Sequence, residues 1–219
     1  MGVQSMKEDL LRQKQVADAF LSTGGVTVDP DRGFEFVSGL HSPIYVDSRR
    51  LISFPKERRV ILDALEILIT ADYAATSAVA GIVTAGVPWA AWIAADLHLP
   101  LLYIRPEPKP RWLGRQIEGA LNEGDQVLLI EDLITTGLST ARCANAIRAK
   151  GADVLGALSI FSYEVAFAER RLNQARIKYS AVLPFSVFLD LTSVRFSPHE
   201  LGALRHWQNE ILPTFVPKE

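Results

Sequence analysis

The stretch Val127-Leu128-Leu129-Ile130-Glu131-Asp132-Leu133-Ile134-Thr135-Thr136-Gly137-Leu138-Ser139 concentrates the most chemistry in the chain. Val127–Ile130 is purely aliphatic, as expected of a strand buried on both faces. Two adjacent carboxylates end that strand, and hydroxyls and a glycine then lead into a helix from about Ser139. Free backbone N–H groups at a helix start, with the hydroxyls of Thr135, Thr136 and Ser139, suit a phosphate monoester. Glu131 and Asp132 are not phosphate ligands, because like charges repel. They suit vicinal sugar hydroxyls, or a Mg²⁺ ion. A sugar phosphate satisfies both halves of the motif. The alternative is a plain strand–turn–helix junction with an acidic turn. The Gly-Lys-Ser/Thr of a Walker A loop and the Gly-x-Gly-x-x-Gly pattern are both absent.

Two more loops carry unusual composition. Between Arg105 and Gly119, prolines at 106, 108 and 110 exclude a regular helix or a central strand. This extended segment holds Arg105, Lys109, Arg111 and Arg115 against Glu107 and Glu118. Alone it reads as a solvated hairpin. Beside a phosphate site it becomes a lid that delivers positive charge to a pyrophosphate leaving group. In Thr84-Ala85-Gly86, between a strand and a helix, the glycine lets the backbone approach a ligand closely; an ordinary turn is the other reading.

These loops need elements to hold them. Lys7–Leu21 reads as a helix with Leu10, Leu11, Lys14 and Ala17 near one face, stopped by Gly24-Gly25. Phe34–Val37 and Ile44–Val46 read as short strands around the turn 38–43. Ser53-Phe54-Pro55 opens a second helix, capped by Ser53, with its apolar stripe at Val60, Ile61, Ala64, Leu65 and Leu68. Ala78–Val83, Leu101–Ile104, Val127–Ile130 and Val154–Phe161 read as strands; helices are expected over Val87–Leu97 and from about Ser139 to Gly151. Alternation of this kind argues for a mainly parallel α/β sheet covered on both sides, with ligands at the carboxyl ends of the strands. Ser197-Pro198 to about Glu210 gives a further helix. Cys143 falls on a core-facing stripe with Ala144 and Ile147, so a buried, unreactive thiol is expected.

Composition narrows the function. Lys plus Arg is 23 and Asp plus Glu is 25, so the basic excess of a nucleic-acid binder is missing. At 48% hydrophobic and 22% charged, global disorder is excluded. The single cysteine allows neither a disulfide framework nor a cysteine-based zinc site. Met1–Leu10 has no apolar signal core, and the apolar run near Ala78–Ala95 is broken by Gly86 and Pro88. No membrane partner and a cytoplasmic location are therefore expected. Residues 1–219 are read as one domain, since no repeat or long linker divides them.

The order of aliphatic strand, Glu-Asp, two residues, Thr-Thr-Gly, one residue and Ser resembles the phosphoribosyl-pyrophosphate (PRPP) motif of type I phosphoribosyltransferases. With the other loops the chain is similar to the shorter bacterial orotate phosphoribosyltransferases. Ser38-Gly39-x-x-Ser42-Pro43-Ile44-Tyr45-x-Asp47-x-Arg49 resembles their N-terminal substrate-side segment, and Thr84-Ala85-Gly86-Val87-Pro88 their pyrophosphate loop. Arg105 and Lys109, with Gly114-x-Gln116-Ile117-Glu118-Gly119, resemble their mobile loop. Ser159–Tyr163 resembles the strand after the PRPP motif and Leu204–Trp207 the last helix. Arg111 and Trp112 depart from the family, standing where histidine and glycine are usual.

The resemblance implies the type I fold, an open twisted sheet flanked by helices, with a small hood from about residues 1–55 and the C-terminal tail. It implies transfer of phosphoribosyl from PRPP to orotate, with Mg²⁺. Thr84, Ala85, Gly86 and the run Glu131, Asp132, Leu133, Ile134, Thr135, Thr136, Gly137, Leu138 and Ser139 would bind PRPP. Ser38, Gly39 and Thr135 would border orotate, Arg105, Lys109 and Arg111 would be catalytic, and Mg²⁺ would come with PRPP, with Asp132 as a candidate ligand. A homodimer is implied, with the 105–118 loop acting across the interface. Two rivals stand beside this reading: a phosphoribosyltransferase for another base, and a PRPP-sensing regulator of the same fold.

Overall fold

The computed structural model of the chain describes residues 3–108 and 115–218. At its centre is a six-stranded sheet. In chain order its strands are β5 (Ala78–Ile82), β6 (Leu101–Ile104), β7 (Ile117–Glu118), β8 (Gln126–Ile134), β9 (Asp153–Ser162) and β10 (Tyr179–Pro184). In space they run β10-β9-β8-β5-β6-β7, all parallel except β7, which pairs antiparallel with β6. From β5 the chain moves first toward β6 and later toward β8. The winding therefore reverses between β5 and β8, which opens a crevice at their carboxyl ends. Right-handed crossovers then put the helices on opposite faces. On one face lie α2 (Pro55–Asp72) and α3 (Gly86–Asp96), with α1 (Val3–Ser22) against α2; α4 (Leu138–Arg148) and α5 (Ala166–Gln174) cover the other.

Every residue of β5 and all of Val127–Ile130 are buried. The aliphatic runs therefore sit where a two-sided parallel sheet needs them. Cys143 is fully buried on α4, facing the sheet with Ala144 and Ile147. Burial, and then the charge of Glu131, push its thiol up to about 12. Its thiolate is therefore scarce at pH 8, and a disulfide-forming reagent should label the protein only as fast as it unfolds. Rapid stoichiometric labelling of native protein would contradict this. The folded thiol holds its proton longer than an unfolded one, so stability should fall as pH rises above about 8.5. That loss should be absent from Cys143→Ala.

Several elements differ from the sequence expectation. β8 does not stop at Ile130: it continues through Glu131 and Asp132 to Ile134, pairing Glu131 with Ser159 and Leu133 with Phe161 of β9. Burial on α1 begins at Val16, Ala17, Ala19 and Phe20, while Leu10 and Leu11 stay 51% and 59% exposed, so the apolar face lies one half-helix later than expected. Ser53 does not cap α2; it ends a 3-10 helix over Ser48–Ser53, and Phe54 takes the cap position with no side-chain bond. The residues after β9 add α5, β10 and α6 (Phe185–Thr192), none read from the sequence. The last expected helix is split into α7 (Pro198–His206) and a π-helical turn, Trp207–Ile211. α7 starts with a capping box between Ser197 and Glu200.

Over the carboxyl ends of the sheet lie two small antiparallel pairs. β1 (Val26–Val28) joins β4 (Ile44–Val46), and β2 (Phe34–Glu35) joins β3 (His41–Ser42). Side chains tie them to the body. The Val46 N–H donates to the Tyr163 hydroxyl at 3.0 Å, and Trp207 Nε1 donates to the His41 carbonyl at 2.8 Å. Phe36 packs on Tyr163 with ring centroids 5.2 Å apart. None of the described helices is long and apolar enough to cross a membrane.

Candidate active site

A cleft of about 880 Å³ lies between the carboxyl end of β8 and these small strands, a size suited to a small-molecule site. Its floor is Glu131 and the run Leu133, Ile134, Thr135, Thr136, Gly137, Leu138 and Ser139. Phe36, Ser38 and Tyr45 face them from the hood side. Gly137 is the N-cap of α4 and adopts a left-handed conformation at φ 69°, which glycine takes without strain. No side chain caps that helix. Its first N–H groups have no intrahelical acceptor and, with the helix dipole, favour an anion in the cleft. From α5, Arg171 donates to the Thr136 carbonyl at 3.1 Å and supports the loop.

The two carboxylates have different surroundings, because neighbouring residues of a strand point to opposite faces. Glu131 lines the cleft yet is only 8% exposed. Burial, reinforced by the Asp132 charge, holds its carboxyl well above the usual carboxylate range. Asp132 is half-buried and accepts a hydrogen bond from Ser48 Oγ at 2.6 Å. Ser48 is fully buried at the start of the 3-10 helix that Asp47 caps. Asp47 also pairs with Arg49 at 2.6 Å, and Arg49 donates to the Tyr45 hydroxyl at 2.7 Å. The hydrogen bond that Arg49 donates to the Asp47 carboxylate raises the Arg49 pKa above its ordinary value.

A buried carboxyl with a raised pKa favours its protonated form in the folded chain. Stability linked to Glu131 is therefore full below the unfolded value of about 4.3 and is lost as pH rises from there through the raised folded value. At neutral pH an unfolded Glu131 is ionised while the folded one resists ionisation, so Glu131→Gln should stabilise the ligand-free, metal-free protein by about 1 kcal/mol, or ~2–4 °C in Tm. The gain should shrink toward pH 4. A variant no more stable than its parent at pH 7.5 would contradict this account of Glu131.

Of the other expected site residues, Thr84, Ala85 and Gly86 follow β5 beside the cleft without lining it. Gly86 is packed so tightly that a Cβ would collide with the Ile130 carbonyl oxygen. The close approach expected of this glycine is thus made to β8. Gly39 turns at φ 80° beneath the stem of Lys218. Arg105 lies at the root of the β6–β7 hairpin, with its guanidinium over the Tyr103 ring at 5.5 Å and Nη1 buried without a partner. Lys109 and Arg111 fall outside the described residues.

Some residues of the site were not picked out from the sequence. Ser48 occupies an unassigned position of the substrate-side segment. Arg142 and Arg171 line the cleft from α4 and α5, and Arg142 is paired with Glu107. Pro217 and Lys218 close it from the other side. Among the described residues no group of three or more His, Cys, Asp or Glu side chains is placed to hold a metal. One or two carboxylates with substrate oxygens are, however, an ordinary Mg²⁺ environment; Asp132, half-buried between two lining residues but not itself lining the cleft, is the candidate carboxylate.

The chain is 37% identical over 203 residues to the orotate phosphoribosyltransferase of Levilactobacillus brevis, covering 92% of this chain and 97% of that protein. It is 35% identical over 198 residues to the orotate phosphoribosyltransferase of Bacillus mycoides, covering 90% and 94%. Among solved structures, Leishmania donovani UMP synthase matches with a TM-score of 0.78 and 25% identity; this chain is covered to 90% but spans only 42% of that one. Orotate phosphoribosyltransferase from Aeropyrum pernix matches with a TM-score of 0.71 and 30% identity over 83% of this chain and 99% of that one. No family model matches the chain.

Proposed function

The chain belongs to the orotate phosphoribosyltransferase family, and we propose which of its residues carry the transfer of the 5-phosphoribosyl group from PRPP to orotate in pyrimidine biosynthesis. The products are orotidine 5′-monophosphate and pyrophosphate. One observation supports the assignment most: the Thr135–Ser139 turn and Glu131 face a single cleft, pairing an anion cradle with an acidic floor.

The 5′-phosphate rests on the N-terminus of α4, held by N–H groups of the loop and the hydroxyls of Thr135, Thr136 and Ser139. Glu131 and Asp132 accept hydrogen bonds from the ribose hydroxyls, with Ser48 holding Asp132 in place. Thr84, Ala85 and Gly86 meet the pyrophosphate. Ser38, Gly39 and Thr135 border the base. As orotate N1 approaches C1 and the C1–O bond breaks, pyrophosphate gains negative charge. Arg105, Lys109 and Arg111 neutralise it, which stabilises the transition state more than the substrate. Mg²⁺ carried in with PRPP would be held by Asp132 and would offset pyrophosphate charge.

Residues 1–219 act in this reading as one cytoplasmic unit, with about 1–55 and the tail as the hood. The buried, unpaired Cys143 suits a reducing compartment. A homodimer is part of the reading, with the 105–118 segment serving the partner's site. Mixing the impaired Lys109→Ala and Asp132→Asn proteins at sub-saturating PRPP should then restore part of the activity; no restoration would remove the shared site. The central test is orotate-dependent release of pyrophosphate from PRPP, with and without Mg²⁺. Release with uracil or a purine but not orotate would favour the rival base.

A further inference from the structure

We propose that Lys218 is the cation that receives the carboxylate of the base, so that the segment 213–218 forms part of the substrate-binding wall. This rests on the reading above, because orotate is an anion whose carboxylate must be matched on leaving water. Among the described residues, the cations lining the cleft are Arg142, Arg171 and Lys218. The two arginines belong to the phosphate side. Arg142 lies on α4 just after Ser139 and is paired with Glu107, and Arg171 donates to the Thr136 carbonyl. Lys218 stands on the hood side, where the base must lie once the 5′-phosphate is seated on α4.

The chain fixes it there. The Lys218 N–H donates to the Ser38 carbonyl at 3.2 Å, and the Phe215 N–H donates to the Ile211 carbonyl at 2.9 Å. A Cβ on Gly39 would lie 3.2 Å from Lys218 Cδ and 3.4 Å from Cγ, so the aliphatic stem runs along the Ser38-Gly39 turn. The bare Cα of Gly39 leaves room for it. On the same turn, Ser38 Oγ is buried with no hydrogen-bond partner, and Ser38 lines the cleft. Glu35 is the carboxylate on this wall, and no ion pair joins it to Lys218 among the described residues. The rings of Phe36 and Tyr45 complete the wall. Apolar faces, one unsatisfied hydroxyl and one ammonium suit a flat, conjugated anion.

The test is steady-state kinetics of the full chain with Mg²⁺, comparing the parent with Lys218→Ala, Lys218→Met and Lys218→Arg. Loss of a charge-assisted contact from an exposed cation should raise the orotate KM of the Ala and Met variants about tenfold. The PRPP KM should stay within twofold, and Lys218→Arg should recover most of the loss. Met keeps the stem over Gly39, so it separates charge from packing. An orotate KM within twofold of the parent in both neutral variants, or equal rises in both KM values, would overturn the inference. A parent that releases no pyrophosphate with orotate would instead overturn the functional reading on which it rests.

Discussion

Lys109→Ala is expected to lower kcat about 10²–10³-fold while PRPP affinity changes less than twofold. The lysine stands between Pro108 and Pro110, in a segment carried on the β6–β7 hairpin. The root of that hairpin is firmly built. The Arg105 N–H donates to the Gln116 carbonyl at 3.0 Å, and the Gln116 side chain donates to the carbonyls of Arg105 and Pro106 at 2.8 and 3.1 Å. Ground-state PRPP already carries its phosphate charges in water, where one more ammonium adds little. The bridging oxygen gains charge only as the ribosyl bond lengthens, and a cation placed there acts mainly on that state. An interaction of this kind appears in kcat and kcat/KM together. Removal of one such group costs roughly the stated factor; partial substitution by Arg105 or Arg111 would move the result toward 10²-fold. Turnover within about twofold of the parent would reduce this segment to a solvated hairpin.

Asp132→Asn should weaken PRPP binding by about 10–150-fold, the equivalent of about 1.5–3 kcal/mol for a charged acceptor. The substitution keeps the shape of the side chain, and an amide oxygen still accepts from Ser48 Oγ, now 2.6 Å from Asp132 Oδ2. The fold should therefore survive, with a Tm close to that of the parent. Titration calorimetry with PRPP and Mg²⁺ measures the loss directly; unchanged affinity would remove Asp132 from the site.

The buried centre of the sheet could be read from the sequence because its strands carry unbroken apolar runs. Val127–Ile130 and Leu101–Ile104 need no outside information. The continuation of β8 through Glu131 and Asp132 was hidden, since acidic residues are poor strand formers and only the pairing with Ser159 and Phe161 keeps them extended. α5 is nine residues long, with only Ala168 and Leu172 buried around Glu169, Arg170 and Arg171, so its stripe is too short to stand out, yet it supplies an arginine to the Thr136 carbonyl. Local motifs exposed the Thr135–Ser139 turn. Contacts across the fold did not announce themselves: Ser48 meets Asp132 across 84 positions, and Lys218 reaches Ser38 from the far end of the chain.

The packing of Gly86 against the Ile130 carbonyl has a consequence for how such a protein can diversify. Any side chain at 86 would push the start of α3 away from the end of β8, so the turn before α3 and the turn after β8 cannot vary independently. The small strands over the sheet are joined to the body by a hydrogen bond that the Tyr163 hydroxyl accepts, by one that Trp207 Nε1 donates, and by the packing of Phe36 on Tyr163. On the proposed placement of the base, selection for a new nucleobase would act on Phe36, Ser38, Tyr45 and the segment around Lys218, and leave the packing of Gly86 against β8 untouched.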